Sequence, residues 1–326
     1  MINRLNIYIS DSYDPYLNMA TEKYLTLNVD PDECIMFLWQ NDNTVFIGKN
    51  QNCWAECHVA KLETDGGHLA RRLSGGGAVY HDVHNLNFTF SVNNKDYNVA
   101  KQLSVIALAV RDYGIEAEVS GRNDILTDGC KFSGNAFWCY GENYYHHGTI
   151  LIKTDTEKMA LYLNVPEDKL KAKGVASVRS RVINLSMLNG NISVDGMKKS
   201  LMNAFGEVYE FPVNDYVFPK SAMAEIDKYY AEFDSPEWKY DRTPQFTHKF
   251  QRRFAWGGVT FCLEVKDGRI NECVVYSDSL DPLFISSIPV VLRGRRYGAK
   301  DLATALITIG KRQEIDDIIG LFQEEM

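Results

Sequence analysis

Between positions 71 and 82 the chain reads Arg71-Arg72-Leu73-Ser74-Gly75-Gly76-Gly77-Ala78-Val79-Tyr80-His81-Asp82. Three consecutive glycines are entropically costly to order, so they belong where a backbone turns sharply or lets another group come close. Two adjacent arginines add charge at the entrance. Together they form a cradle in which backbone N–H and guanidinium donors converge on one carboxylate or phosphate. A surface loop with solvated arginines fits the bare glycine run equally well. The run is neither G-x-x-x-x-G-K-[ST] nor G-x-G-x-x-G, since Tyr80 stands where the last glycine would fall, and Ser74 lacks the Gly-x of a hydrolase serine.

A second constellation joins Gly121-Arg122-Asn123-Asp124, Gly129-Cys130-Lys131-Phe132-Ser133-Gly134-Asn135-Ala136 and His146-His147-Gly148-Thr149. On a regular strand Lys131 and Ser133 share a side, which aims a cation and a hydroxyl into one site whose far wall carries Asn123 and Asp124. Small residues after Lys131 suit close approach and argue against an ordinary surface lysine. The histidine pair supplies either a general base or a strand-end histidine satisfied by hydrogen bonds. A third feature is Lys169 to Arg181, where Lys169, Lys171, Lys173, Arg179 and Arg181 stand among thirteen residues with no acid. Its core, Lys173 to Arg181, suits a loop that closes over a polyphosphate, the alternative being a solvated face.

These residues need a scaffold, and the patterning predicts one of mixed α and β elements. Strands are expected at Leu5 to Ile9, Cys34 to Gln40, Thr44 to Gly48 and Leu86 to Val92, with the second and third paired antiparallel across Asn41-Asp42-Asn43. Helices are expected at Pro15 to Leu27, Val99 to Tyr113, Glu157 to Leu163 and Val194 to Val208. Asp124 to Ile152 reads as strands joined by turns. Pro212 to Pro244, with scattered aromatics, prolines and charges, reads as a crossover and linker. Beyond it, Val259 to Val265 and Ile270 to Tyr276 flank the hairpin signal Asp267-Gly268, and helices fill the remainder to Glu325.

With 35 Lys+Arg against 43 Asp+Glu the 326-residue chain carries a net charge of −8, which disfavours general nucleic-acid binding. Any anion site must be built locally. The longest apolar runs have six residues, far short of the ~20 that cross a bilayer, and no secretory pattern follows Met1, so a cytoplasmic protein without membrane contact is expected. Seven cysteines without a C-x-x-C pair fit reduced thiols. Cys53, Cys57 and His58 lack a fourth ligand at sensible spacing for zinc.

Taken together with Ser10-Asp11-Ser12-Tyr13-Asp14-Pro15, Lys173 to Leu185 and Phe254-Ala255-Trp256-Gly257-Gly258, these motifs resemble the lipoate–protein ligase A family over most of the chain. The resemblance implies an α+β fold: a biotinyl/lipoyl-transferase-like catalytic domain over 1–244, with mixed, mostly antiparallel sheets packed by helices, and a small α+β accessory domain over 245–326. It implies ATP-dependent formation of lipoyl-AMP from lipoate, with Mg²⁺. Transfer would follow to a lysine of the lipoyl domains of 2-oxoacid dehydrogenase E2 subunits or of glycine-cleavage H protein. Carried over, Arg71, Arg72, Ser74, Gly75, Gly76, Gly77 and His147 would bind lipoate. Arg72, Gly77, Val79, Tyr80, Asn123, Asp124, Lys131, Lys173, Gly174, Val175, Ser177, Val178, Arg179 and Arg181 would face the nucleotide. Lys131 would be catalytic and Asp124 would reach Mg²⁺. A lipoyl- or octanoyltransferase that performs no adenylation, and a non-enzymatic lipoate-binding protein, are the competing readings. The 173–181 segment and the tail favour the ligase.

Overall fold

Two long strands, each buried at every position, organise the large sheet. In the computed structural model, which describes residues 1–120, 124–164, 182–240, 248–266, 268–310 and 312–325, these are Glu33–Trp39 and Asn85–Asn93. The first is a continuous apolar run after Glu33, as expected of a strand covered on both sides. The second alternates strictly between apolar and polar side chains, yet all nine are buried.

The first of two compact units comprises Met1–Phe46, Trp54–Ala70 and Ala78–Lys239. In chain order it carries β1 (Arg4–Ile9), α1 (Pro15–Leu27), β2 (Glu33–Trp39), β3 (Thr44–Ile47), β4 (His68–Arg71), β5 (Val79–His81), β6 (Asn85–Asn93) and α2 (Val99–Arg111). There follow β7 (Glu118–Ser120), β8 (Asp124–Thr127), β9 (Cys130–Tyr140), β10 (Asn143–Leu151), α3 (Thr156–Tyr162), α4 (Val194–Tyr209), β11 (Val213–Asp215) and α5 (Ala222–Asp234). The large sheet has the order β11-β1-β2-β6-β10-β9-β8-β7. Its β11-β1-β2 edge is parallel and the remainder antiparallel. A small sheet has the order β4-β3-β5.

One face of the large sheet carries the apolar core. Cys34, Met36, Phe88 and Phe90 pack there with Val105, Ile106 and Ala109 of α2 and with Met197, Leu201 and Phe205 of α4. Asn98 caps α2 by accepting from the Lys101 N–H, and Ser193 caps α4 by accepting from the Gly196 N–H. On the other face lies α1, begun by Pro15 and by Asp14, whose carboxylate accepts from the N–H groups of Tyr16 and Leu17.

Two sequence expectations are corrected here. The second and third expected strands do not pair: β2 lies between β1 and β6, whereas β3 pairs antiparallel with β5. The turn between them changes sheets. Nor is 212–244 merely a crossover. Its β11 extends the sheet edge in parallel with β1, and α5 lies against α1, where Lys23 Nζ meets Glu232 Oε2 at 2.6 Å and stands 4.3 Å from the Tyr229 ring centroid.

The second unit comprises Ile47–Cys53, Arg71–Gly77 and the tail from Tyr240. The expected boundary at 244–245 lies outside the described residues. Strands β12 (His248–Phe254), β13 (Gly257–Lys266) and β14 (Arg269–Ser277) form an antiparallel sheet, with the hairpin of β13 and β14 where the sequence marks it. Helices α6 (Pro282–Leu292), α7 (Ala299–Ile307) and α8 (Gln313–Glu325) follow, burying Ile288, Leu302 and Phe322 against Phe261 and Leu263. Among the described residues no helix is long and apolar enough to cross a membrane.

Candidate active site

The polar half of β6 defines a second face of the large sheet. Directly paired residues of neighbouring strands share a face. Asn87 is thus level with Trp39 of β2 and Thr149 of β10, and Thr89 is level with Phe37 and His147. The row through Asn87 continues to β9, where the Gly134 N–H donates to Thr149 Oγ1 at 3.3 Å, and to β8, where Asp124 is paired with Gly134.

Lys131 reaches this row through an irregularity. The β8–β9 register shifts between Ile125 and Leu126, so that Lys131 is opposite Leu126 and Ser133 opposite Ile125. That bulge breaks the two-residue alternation. Lys131 falls on the side of Asp124 and Gly134, while Phe132 joins Ile125 in the apolar core. Lys131 and Ser133 therefore do not point together as a regular strand would have them, and Ser133 is fully buried. Lys131 Nζ meets Asp124 Oδ1 at 2.7 Å, with both side chains mostly buried. A Cβ at Gly134 would stand 2.5 Å from Nζ and 2.8 Å from Cε, so only glycine leaves room for the lysine. The Lys131 carbonyl also accepts from the Ile183 N–H at 2.9 Å.

Farther along the same face is a buried carboxylate. Glu22 of α1 is 3% exposed, and its Oε1 accepts from Thr89 Oγ1 at 2.7 Å and bonds to His147 Nδ1 at 2.8 Å. Thr89 in turn accepts from Trp39 Nε1 at 3.1 Å. Tyr145 lies beside His147 with ring centroids 4.6 Å apart. A carboxyl group so deeply buried is tolerated only where such hydrogen-bond partners hold it. The sequence reading missed Glu22, Trp39, Asn87 and Thr89. For Asn87 and Thr89 the signal was the Asn85–Asn93 alternation, which ordinarily marks a strand with one wet face.

The histidine pair divides between faces. His146 is paired with Phe90 on the core side and bonds through Nδ1 to Gln102 Oε1 at 3.0 Å and through Nε2 to Asn135 Oδ1 at 2.9 Å. Burial pushes its pKa down from 6.5 to about 3. It is a neutral structural group, and His147 alone is on the polar face.

Tyr80 turns its side chain inward. Its hydroxyl donates to Asn43 Oδ1 at 3.1 Å, its ring lies near that of Tyr162, and burial raises its phenol pKa. What Val79 and Tyr80 offer a ligand is backbone, on a strand at the end of its sheet.

The glycine loop belongs to the second unit. Arg71 Nη1 donates to the carbonyls of Gln51 at 2.6 Å and Lys49 at 2.9 Å. Arg72 Nη2 donates to those of Gly75 and Gly77, each at 2.7 Å, and its Nε donates to Ser74 Oγ at 3.1 Å. Both side chains are buried. The arginines thus wrap the loop and fix its shape. Gly75 lies against the Ser279 carbonyl, where a Cβ would clash, and the Gly76 N–H donates to that carbonyl at 3.0 Å. Asn123, Lys173, Gly174, Val175, Ser177, Val178, Arg179 and Arg181 lie outside the described residues. Among the described residues no three His, Cys, Asp or Glu side chains gather as a metal site.

Comparison with known proteins matches both parts of the chain. Residues 14–206 match the lipoyl protein ligase A/B catalytic domain, and residues 243–322 match the bacterial lipoate protein ligase C-terminus. The fold is that of a protein-lipoylating ligase class. The chain belongs to the lipoate–protein ligase A family: it is 37% identical to lipoate-protein ligase A of Bdellovibrio bacteriovorus, over 99% of this chain and 97% of that one. A relative from Psychrobacter cryohalolentis is also 37% identical, over 97% of each. The crystal structure of Plasmodium falciparum LipL1 in complex with lipoate superposes with a TM-score of 0.85 and 29% identity, covering 98% of this chain and 99% of that one.

Proposed function

We propose that this protein activates lipoate with ATP, forming lipoyl-AMP and releasing pyrophosphate, and then passes the lipoyl group to a lysine of a lipoyl domain. The observation that carries the reading is the Lys131–Asp124 pair above Gly134, at the less buried end of a buried polar face. In the first step a lipoate carboxylate oxygen attacks the α-phosphorus and pyrophosphate leaves. Two anions must approach, so a pre-placed ammonium lowers the barrier directly. Asp124 holds that ammonium in place. In the second step the acceptor lysine attacks the acyl carbon, AMP leaves, and the amine loses a proton. The same positive field favours the neutral, nucleophilic form of the incoming amine.

The acyl chain is assigned to the face beyond Lys131, toward His147. Backbone groups of Val79 and Tyr80, with Asn123 and the cations of 173–181, are assigned to the nucleotide. The loop of Arg71, Arg72, Ser74 and Gly75 to Gly77 is assigned to the activated carboxyl, with the arginines acting by shaping it. Asp124 offers one carboxylate oxygen side, which suits a Mg²⁺ ion brought by the nucleotide and held mainly by phosphate oxygens and water. That ion would neutralise phosphate charge. The acceptors are E2 lipoyl domains of 2-oxoacid dehydrogenases or glycine-cleavage H protein. In support, the archaeal bi-partite lipoate protein ligase of Thermoplasma acidophilum, described with its E2 lipoyl domain, shares the fold at a TM-score of 0.66 and 23% identity, over 76% of this chain and all of that one.

A pyrophosphate-release assay with lipoate, octanoate and biotin tests the reading. Release with lipoate and ATP is expected. No release with any acid, from folded protein, would overturn it.

A further inference from the structure

We infer that Asn87 sets a preference for a sulfur-bearing acyl chain over an all-carbon chain of the same shape, an inference that rests on the lipoate-activating reading above. Asn87 lies between Trp39 and Thr149 in the row that ends at Gly134 and Asp124. It is 1% exposed. Its Oδ1 accepts from Asn85 Nδ2 at 2.9 Å, but its own Nδ2 is buried without a hydrogen-bond partner. The neighbouring Thr89 and Ser91 on this face are both satisfied, by Glu22 and Thr26. Folded chains seldom bury an amide donor unpaired, because the group loses water and gains nothing. One left on the substrate side of the sheet points to an acceptor that arrives with the ligand.

Position selects that acceptor. Adjacent strands stand about 4.8 Å apart, so Asn87, two strands from Gly134, is about 10 Å from the ammonium above that glycine. Lipoate has five C–C bonds between its carboxyl carbon and the ring carbon that bears sulfur. With bonds of about 1.5 Å in an extended zigzag these span about 6 Å. A carboxylate–ammonium contact of about 2.8 Å brings the ring level with Asn87. The atom delivered there is a sulfur of the dithiolane's cyclic disulfide, a weak acceptor like other divalent sulfurs. Octanoate or a carbocycle brings only methylene and leaves the amide unpaired.

The test compares lipoate with 5-cyclopentylpentanoate, in which methylenes replace both sulfurs, by pyrophosphate release. Wild type should use the carbocycle with a kcat/KM roughly tenfold lower, the scale of one unmade buried hydrogen bond. Asn87→Leu should treat the two acids alike. Equal use of both acids by wild type would overturn the inference, as would an unchanged ratio in folded Asn87→Leu. If that variant does not fold, the wild-type comparison decides alone. Absence of pyrophosphate release from wild type with either acid would instead overturn the activation reading.

Discussion

Glu22 and His147 stand 125 residues apart in the chain and share a 2.8 Å hydrogen bond. The contact ties α1 to β10 on the polar face of the sheet. It also makes a buried carboxylate part of the wall against which the acyl chain is assigned.

Removing that carboxylate should cost stability. Glu22→Ala strips the Thr89 hydroxyl and His147 Nδ1 of a shared acceptor. Each buried donor so deprived costs about 1–3 kcal/mol. Glu22→Gln, which keeps an acceptor oxygen, should lose less. Urea denaturation of both variants checks the order; equal stability of Glu22→Ala and wild type would contradict it.

Lys131→Met keeps the stem of the side chain and removes the charge. Both half-reactions should slow by about 10² to 10³, the scale of losing one electrostatic contact to a transition state. The measurements are pyrophosphate release from lipoate and ATP, and acceptor loading from supplied lipoyl-AMP. Wild-type rates in a folded variant would remove Lys131 from the chemistry.

Gly134→Ala probes position rather than charge. The new methyl would meet Nζ and Cε of Lys131 at 2.5 and 2.8 Å, and the flexible end of that side chain must move away. Stability should stay near wild type. Activity should fall by up to about 10², since an error of about 1 Å in a reacting geometry has that effect. Retained activity would mean that the ammonium works equally well elsewhere.

His146 gives the protein a pH dependence of known sign. Its pKa is about 3 in the fold against 6.5 ordinarily, so the unfolded chain takes up a proton that the native state refuses. The contribution to stability is fully present above about pH 6.5 and is lost as pH falls toward 3, at up to about 1.4 kcal/mol per pH unit. His146→Gln lacks the titrating group. The slope of unfolding free energy between pH 6 and 4 should therefore be shallower in the variant by up to about one proton. Parallel slopes would show that His146 titrates normally in the fold.

Much of this was legible in residues whose types already specify chemistry. The hairpin at Gly268 stands where its turn signal places it, and Lys131 does pair with Asp124, though through a bulge rather than the strand spacing. The bulge beside Lys131 was not legible, because Phe132-Ser133 contains no residue that announces one. The burial of both faces of β6 was equally hidden. Alternation reports which side chains share a face, but the polar face is normally the wet one, and here Glu22 and α1 cover it. The segment after Pro212 misled because β11 has only three residues and α5 is dominated by charged and aromatic side chains. It packs on α1, where Lys23, far away in sequence, meets Tyr229, Glu232 and Phe233.

The β8–β9 bulge also sets a rule of parity along β9. From Gly134 through Ala136 to Trp138, the even-numbered residues are level with Thr149, His147 and Tyr145 on the ligand side. Before the bulge, odd-numbered Lys131 has that side and even-numbered Phe132 has the core. The extra residue is thus what lets an oily strand present its cation outward and its phenylalanine inward. Deleting one residue between Lys131 and Gly134 would remove the bulge and restore uniform alternation, with Lys131 and Gly134 still on one face. A chain that moved its lysine by a single position without moving the bulge would drive an ammonium into hydrocarbon. Aligned sequences of this strand are therefore comparable only when the bulge, rather than the lysine alone, is kept in register.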